Sequence, residues 1–238
     1  MPRPTPNRGG SALDQDARHS PRPLAGPAFG PAGGADARWL VVLLHGVGAD
    51  GADLIGLAPR LAEVVPGARI LAPHAPEPCD MAPVGRQWFS LQDRGDAALH
   101  AGAERARPDL EAFLATALAE AGLGPSRLIL AGFSQGAMAA LHAGLRRDAA
   151  PAAILALSGA LIGPARLAAE IACRPPVLIV HGEEDPVVSP ALARRAEKAL
   201  RAAGVAVEAH LLPGLGHGID ERAFALTADF LKRVTARA

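Results

Sequence analysis

A serine flanked by glycines is the feature of this sequence best suited to chemistry. It lies in the pentapeptide Gly132-Phe133-Ser134-Gln135-Gly136, after an apolar run and before an alanine-rich run that favours a helix. A strand, a sharp turn and a helix in this order hold a nucleophilic serine at the apex of the turn. The turn crowds the backbone two residues before and two residues after the serine, so only small residues fit there. The pattern predicts a nucleophile at Ser134, although an ordinary turn is the alternative in a chain with 26 glycines.

A serine nucleophile needs a base that accepts its proton and an acid that orients the base. Of the eight histidines, His217 lies in a glycine-rich loop after the last predicted strand, and we expect it to be the base. The alternative for His217 is a loop residue that caps the final helix. Asp185 follows a predicted strand and precedes the rigid Pro186, which favours it as the acid over Glu183 and Glu184. The chain order serine, aspartate, histidine is that of α/β-hydrolases.

The tetrahedral intermediate of acyl transfer needs two backbone N–H donors, which form an oxyanion hole. We expect one from Gln135, in the first free turn of the new helix, and the other from Val47, in the loop after the first buried strand. His45 is interpreted as a residue that shapes this loop. Trp88 is interpreted as a wall of the acyl pocket, with a core filler as the alternative, and Phe89 is grouped with it as a substrate-binding residue.

The elements that must position these groups alternate between strands and helices. Continuous apolar runs predict buried strands at 39–44, 68–71, 127–133, 152–157 and 177–180, and alternation predicts an edge strand at 205–212. Helices are predicted at 53–65, capped by Asp53, at 96–121 with a new piece beginning at Pro108, and at 135–145, 190–203 and 220–233. This alternation predicts an α/β fold with a mostly parallel central sheet, helices on both faces and no large lid domain.

The candidate groups all fall just after predicted strands, at the edge where open α/β sheets bind ligands. They are His45, Ser134, Ser158, the segment from His181 to Asp185, and His217.

Composition sets the outer limits of the prediction. The chain has 238 residues, enough for one sizeable domain, and we expect a flexible Pro/Gly-rich extension at 1–36, with an extended piece at 24–29, before a catalytic domain at 37–238. A net charge of zero argues against nucleic acid as a partner. No apolar run is long enough for a signal peptide or a membrane span, so we expect a cytoplasmic protein without stable membrane insertion. The two cysteines match no metal-binding or disulfide pattern, and neither a metal nor an organic cofactor is expected.

Several motifs in one order resemble those of the phospholipase/carboxylesterase family, which includes bacterial carboxylesterases and acyl-protein thioesterases. They are His45-Gly46-x-Gly48-Ala49-Asp50-Gly51, Arg86-x-Trp88-Phe89, the serine pentapeptide, His181-Gly182-x-x-Asp185-Pro186-Val187-Val188 and Gly216-His217. The resemblance is strongest to the bacterial carboxylesterase branch. It implies an α/β-hydrolase fold, a triad of Ser134, Asp185 and His217, and an oxyanion hole from the amides of Val47 and Gln135.

The expected activity is hydrolysis of small carboxylic esters with short to medium acyl chains, through an acyl-enzyme on Ser134. Two alternatives share this chemistry, namely a thioesterase that acts on acylated proteins and a lysophospholipase. A third alternative is a non-catalytic α/β-hydrolase domain that only binds ligands. The sequence leaves open whether the chain forms a homodimer.

Overall fold

A seven-stranded sheet forms the centre of the computed structural model, which describes residues 20–31 and 37–236. Its strands are β1 (Ala28–Phe29), β2 (Trp39–Leu44), β3 (Ala68–Leu71), β6 (Leu128–Phe133), β7 (Ala153–Leu157), β8 (Val177–Gly182) and β9 (Val207–Leu212); β4 (Glu77–Pro78) and β5 (Arg86–Gln87) form a separate hairpin. The spatial order is β1-β3-β2-β6-β7-β8-β9, and every pair in this sheet is parallel except β1 with β3. The predicted mostly parallel α/β sheet, with its edge strand β9, is confirmed.

Helices cover both faces of this sheet. They are α1 (Gly51–Ile55), α2 (Ala58–Val64), α3 (Asp96–Ala121), α4 (Gln135–Gly144), α5 (Leu167–Glu170), α6 (Pro190–Ala202) and α7 (Glu221–Thr235). Alternate residues of β2 point to opposite faces. Leu40 and Val42 belong to the core cluster that includes residues of α3, α4 and α6, whereas Trp39 and Val41 belong to the cluster that includes residues of α1, α2 and α7. Because both faces are buried, the strand is apolar at every position.

Two details of the predicted helices are wrong. The helix expected at 53–65 is two helices, and its cap is Asp50, whose side chain accepts a hydrogen bond from the N–H of Ala52 (2.8 Å). Pro59 lies in the first turn of α2, where a missing N–H costs nothing, so the chain begins a second helix there. Pro108, in contrast, does not begin a new helix, because α3 continues through it and buries Leu110 and Leu114 beyond it. Packing on both sides offsets the one lost backbone hydrogen bond.

The described part of the N-terminal segment, residues 20–31, lies along the edge of the sheet. Strand β1 pairs with β3, and the carbonyl of Pro27 accepts a hydrogen bond from the N–H of Ala72 (3.0 Å). Arg22 donates from its backbone N–H (2.6 Å) and its Nε (2.8 Å) to the two oxygens of Asp109, a buried residue of α3. Residues 1–19 and 32–36 of the predicted extension lie outside the described residues, and the division at residue 36 stays a prediction.

Candidate active site

Ser134 stands between β6 and α4 in a strained backbone conformation, with φ 53° and ψ −119°. Positive φ is unfavourable for a residue with a side chain and is maintained here by the packed strand and helix on either side. A Cβ atom on Gly132 would lie 2.2 Å from the backbone of Gly136, and one on Gly136 would lie 1.9 Å from the carbonyl oxygen of Leu44. The steric reason predicted for both glycines is therefore present in the structure.

One imidazole bridges the serine and a carboxylate. Nε2 of His217 lies 3.0 Å from Oγ of Ser134, and its Nδ1 lies 2.7 Å from Oδ2 of Asp185. A carboxylate only accepts hydrogen bonds, so Nδ1 carries the proton and Nε2 keeps a lone pair toward the serine hydroxyl. The three residues predicted to form a triad thus converge at one edge of the sheet in the geometry of a serine hydrolase.

The carboxylate of Asp185 is buried but fully supplied with donors. Its Oδ1 accepts the backbone N–H groups of Val187 (2.8 Å) and Val188 (2.9 Å), while Oδ2 faces His217. Burial alone would raise the pKa of Asp185, but the hydrogen bonds from His217, Val188 and Val187 outweigh it and hold the pKa below its ordinary value. The group is therefore ionised at neutral pH and can stabilise a protonated His217.

Backbone contacts join the loop of Asp185 to the loop of His217. A Cβ atom on Gly182 would lie 2.1 Å from the carbonyl oxygen of Leu215, and that oxygen accepts the N–H of Glu184 (3.0 Å). The alternative acids, Glu183 and Glu184, are exposed, and Glu183 faces Arg194 at 3.8 Å. The close approach allowed by Gly182 brings residues 32 positions apart within hydrogen-bonding distance.

A buried histidine shapes the loop after β2. His45 accepts the N–H of Ala75 at Nε2 (2.9 Å), so its Nδ1 carries the proton and donates to the carbonyl of Gly46 (2.7 Å). Burial lowers the pKa of His45, against a smaller opposite effect of the Gly46 hydrogen bond, so the ring is neutral. Both nitrogens are engaged in structure, which confirms that His45 shapes the loop.

The two predicted oxyanion donors, Val47 and Gln135, lie in segments that adjoin Ser134. Gln135 is the first residue of α4, and the first N–H groups of a helix have no partner within it. Val47 follows Gly46, and a Cβ atom on Gly46 would lie 3.3 Å from the Cβ of Ser134, so this loop adjoins the nucleophile. This placement is compatible with two donors aimed at one oxyanion, and their catalytic role stays a prediction.

Trp88 and Phe89 lie beneath the site and are 1% and 2% exposed. The indole N–H of Trp88 donates to the carbonyl of His45 (2.9 Å), and its backbone N–H donates to the side-chain oxygen of Gln135 (2.9 Å). The Gln135 amide nitrogen in turn donates to the carbonyl of Phe89 (2.5 Å). These contacts are those of the core-filler alternative, in which the residues support both oxyanion elements. Contact of either ring with a substrate stays a prediction.

Comparison with known proteins agrees with this geometry. The sequence profile described as Phospholipase/Carboxylesterase matches residues 31–235. The chain belongs to this family. The chain is similar to the crystal structure of esterase PE8, with 43% identity and a TM-score of 0.84 over 90% of this chain and 100% of that one. It is also 30% identical to esterase YpfH of Escherichia coli over 82% of this chain and 83% of that protein, and 27% identical to acyl-protein thioesterase 1 of Neurospora crassa over 80% and 84%.

Family membership and the triad geometry together identify the protein as a serine esterase with Ser134, Asp185 and His217 as its triad. Membership of this family and the similarity to the esterase structure also show that the fold is that of an α/β-hydrolase. Within residues 20–31 and 37–236, no helix is long and apolar enough to cross a membrane.

The sequence interpretation gave no role to one residue at the esterase site. His181, the fifth residue of β8, is completely buried, and its Nε2 lies 3.2 Å from Oδ2 of Asp185. The signal was available, because His181 and Asp185 stand four residues apart in one motif at the end of a predicted strand.

A second group of histidines and carboxylates lies away from the triad. His100 and Glu104 of α3 and His142 of α4 have the composition of a metal-binding set, and their donor atoms lie within 4.8 Å of one another. The guanidinium of Arg146 pairs with Glu170 and lies 3.7 Å from Glu104. The carboxylates therefore already face a positive charge supplied by the chain. We use the name α3 cluster for the following five residues: His100, Glu104, His142, Arg146 and Glu170.

Proposed function

We propose that this protein hydrolyses carboxylic esters with short to medium acyl chains through an acyl-enzyme on Ser134. The observation that carries the proposal is the position of His217, whose two ring nitrogens lie 3.0 Å from the serine hydroxyl and 2.7 Å from Asp185. The Ser134 oxygen attacks the ester carbonyl while Nε2 of His217 takes its proton. The negative charge that forms on the carbonyl oxygen is bound by the N–H groups of Val47 and Gln135.

The intermediate then collapses, and His217 returns the proton to the leaving alcohol. Asp185 stabilises the imidazolium in this step, because its carboxylate is ionised and faces Nδ1. In deacylation, His217 takes a proton from a water molecule that attacks the acyl carbonyl. The bond between the acyl carbon and Oγ of Ser134 then breaks, His217 returns the proton to Oγ, and the carboxylic acid leaves. The mechanism uses only side chains and backbone amides of this chain.

The preference for short to medium chains has a structural support. The longest connections near the site are 72–95, which contains only the short β4–β5 hairpin, and 158–166, and neither contains a separate lid that could enclose a long chain. Trp88 and Phe89 are almost completely buried, and the indole N–H of Trp88 donates to the carbonyl of His45 at the start of the oxyanion loop.

The test is a panel of p-nitrophenyl esters from acetate to palmitate, with kcat/KM measured for each. We expect a maximum between acetate and octanoate, and a maximum at palmitate would contradict the chain-length preference. A fluorophosphonate probe should label Ser134, and peptide mapping should leave the exposed Ser126, at the opposite end of the sheet, unlabelled. A protein without label at Ser134 would support the non-catalytic binding alternative.

A thioesterase is the second candidate, because the chain is similar to acyl-protein thioesterase 1 of Neurospora crassa. Both reactions use the same triad, so the leaving group decides between them. An oxygen ester and a thioester of octanoate, compared at matched concentrations, separate the two, with a lysophospholipid as the third substrate. We expect the oxygen ester to have the highest kcat/KM.

A further inference from the structure

The catalytic carboxylate has a second imidazole beside it. His181 of β8 is completely buried, with Nε2 at 2.8 Å from the carbonyl oxygen of Val188 and at 3.2 Å from Oδ2 of Asp185. Since a carbonyl can only accept, Nε2 carries the proton. Among the residues that the structure describes, the other nitrogen, Nδ1, is buried without a hydrogen-bond partner.

His181, Val188 and Asp185 are joined to one another in a closed cycle of polar contacts. Val188 accepts from His181 through its carbonyl and donates through its N–H to Oδ1 of Asp185 (2.9 Å). His181 meanwhile presents its Nε2 edge to Oδ2, the oxygen that also faces Nδ1 of His217. One side chain therefore restrains the loop that holds the carboxylate and contacts the oxygen that orients the base.

A purely space-filling role does not account for this side chain. The Nδ1 atom, unpartnered within the described residues, does not distinguish His181 from His142, which has the same feature, but the partner of Nε2 does. The hydrogen bond from Nε2 of His181 goes to the carbonyl of Val188, the residue whose amide donates to Asp185.

We propose that His181 is a positioning residue for the esterase, which fixes Val188 and the carboxylate of Asp185 so that Oδ2 faces His217. The inference rests on the proposed function, since the position of Asp185 has a kinetic effect only if His217 acts as the base. Errors of about 1 Å in such positions can lower rates by about a hundredfold.

The test compares His181→Leu, which removes the donor, with His181→Gln, whose amide N–H can reach the place of Nε2. We expect His181→Leu to lower kcat at least about tenfold with KM within about twofold, and His181→Gln to restore most of the loss. His142→Leu is the matched control, because His142 is also a buried histidine whose Nδ1 has no partner within the described residues, but its Nε2 faces Glu104 and not the triad. All variants are assayed well below their melting temperatures.

A second readout does not require turnover. The proton between Nδ1 of His217 and Asp185 should give a downfield NMR resonance in the parent protein, His181→Gln and His142→Leu, and a shifted or broadened one in His181→Leu. Parent kcat and an unchanged resonance in folded His181→Leu would overturn the proposal, as would equal losses in His142→Leu. If His181→Leu does not fold, His181→Asn, whose amide is too short to reach Val188, replaces it. An inactive parent with a resonance that responds to His181→Leu would contradict the proposed function but not the positioning role.

Discussion

The triad and the α3 cluster contain the same kind of pair. Nδ1 of His217 lies 2.7 Å from Asp185, and Nε2 of His142 lies 2.7 Å from Glu104. The pairs differ at the other ring nitrogen. In His217 it faces the Ser134 hydroxyl at 3.0 Å, whereas in His142 it is buried and, among the described residues, has no hydrogen-bond partner. A histidine–carboxylate distance alone therefore does not distinguish a catalytic pair from a structural one.

Their electrostatic surroundings also differ. Burial lowers the pKa of His142 to about 4, and the charge of Arg146 acts in the same direction, against the weaker effect of Glu104. His142 therefore stays neutral through the physiological range, and a cation of the chain lies beside its carboxylate partner. At the triad, in contrast, the donors to Oδ1 of Asp185 are the neutral backbone amides of Val187 and Val188.

The largest expected difference between the two groups comes from Ser134→Ala. Removal of the nucleophile should lower kcat by a factor of about 10⁴ or more, because covalent catalysis ends while binding persists. His142→Gln in the α3 cluster should change kcat less than about twofold. Stopped assays with a p-nitrophenyl ester measure both. Turnover in Ser134→Ala near that of the parent would remove the triad from the mechanism.

Neutral amide substitutions of the two carboxylates, Asp185 of the triad and Glu104 of the α3 cluster, form a matched pair with a smaller expected effect on kcat. Asp185→Asn keeps the shape but loses the charge that orients His217 and stabilises its protonated form, so kcat should fall about 10³- to 10⁴-fold. Glu104→Gln makes the same chemical change in the α3 cluster and should leave kcat/KM within about twofold. The two variants are compared by kcat/KM at pH 8, with circular dichroism to confirm folding. Equal losses would mean that the α3 cluster contributes to the active site.

The sequence predicted the triad well because each member has a local signal. Ser134, Asp185 and His217 follow strands β6, β8 and β9, and parallel strands bring their carboxyl ends to one edge. The glycines around Ser134 also have a local cause, namely backbone crowding at the turn.

The α3 cluster and the burial of Trp88 were not predictable in this way. His142 and Glu104 are 38 residues apart on two different helices, which come together only when the protein folds. Neither helix carries a sequence motif that predicts this contact. Trp88 directly follows the two-residue strand β5, in a stretch where the sequence has no periodic pattern to show whether an aromatic side chain turns toward a pocket or toward the core. The decision depends on its partners His45 and Gln135, which lie 43 and 47 residues away.

Gln135→Ala tests the support around the triad while the histidine–carboxylate pair stays intact. The change leaves the buried N–H of Trp88 and carbonyl of Phe89 without their side-chain partner, which should cost about 2 kcal/mol of unfolding free energy. The backbone donor at position 135 remains, so kcat should fall only about 10- to 100-fold, through a less ordered oxyanion loop. Urea titration and ester kinetics measure the two effects. Parent values for both would show that the contacts of Gln135 with the 88–89 segment are dispensable.

The smallest expected effect is a change in stability at acidic pH, and its source is His142 of the α3 cluster. Because the pKa of His142 falls from 6.5 when unfolded to about 4 when folded, the unfolded chain binds a proton first as the pH drops below 6.5. The stability that neutral His142 contributes to the folded protein is fully present above pH 6.5. It decreases as the pH falls from 6.5 to 4 and does not change further below pH 4. The decrease amounts to about 2 kcal/mol between pH 7 and pH 5. Urea titrations at these two pH values should show that the free energy of unfolding falls less in His142→Gln than in the parent protein, by about 2 kcal/mol. The contribution of buried His45, whose pKa is also lowered by burial, remains in both proteins. An identical loss in the variant would show that His142 takes up its proton in the folded state, and the contrast with the triad would then rest on geometry alone.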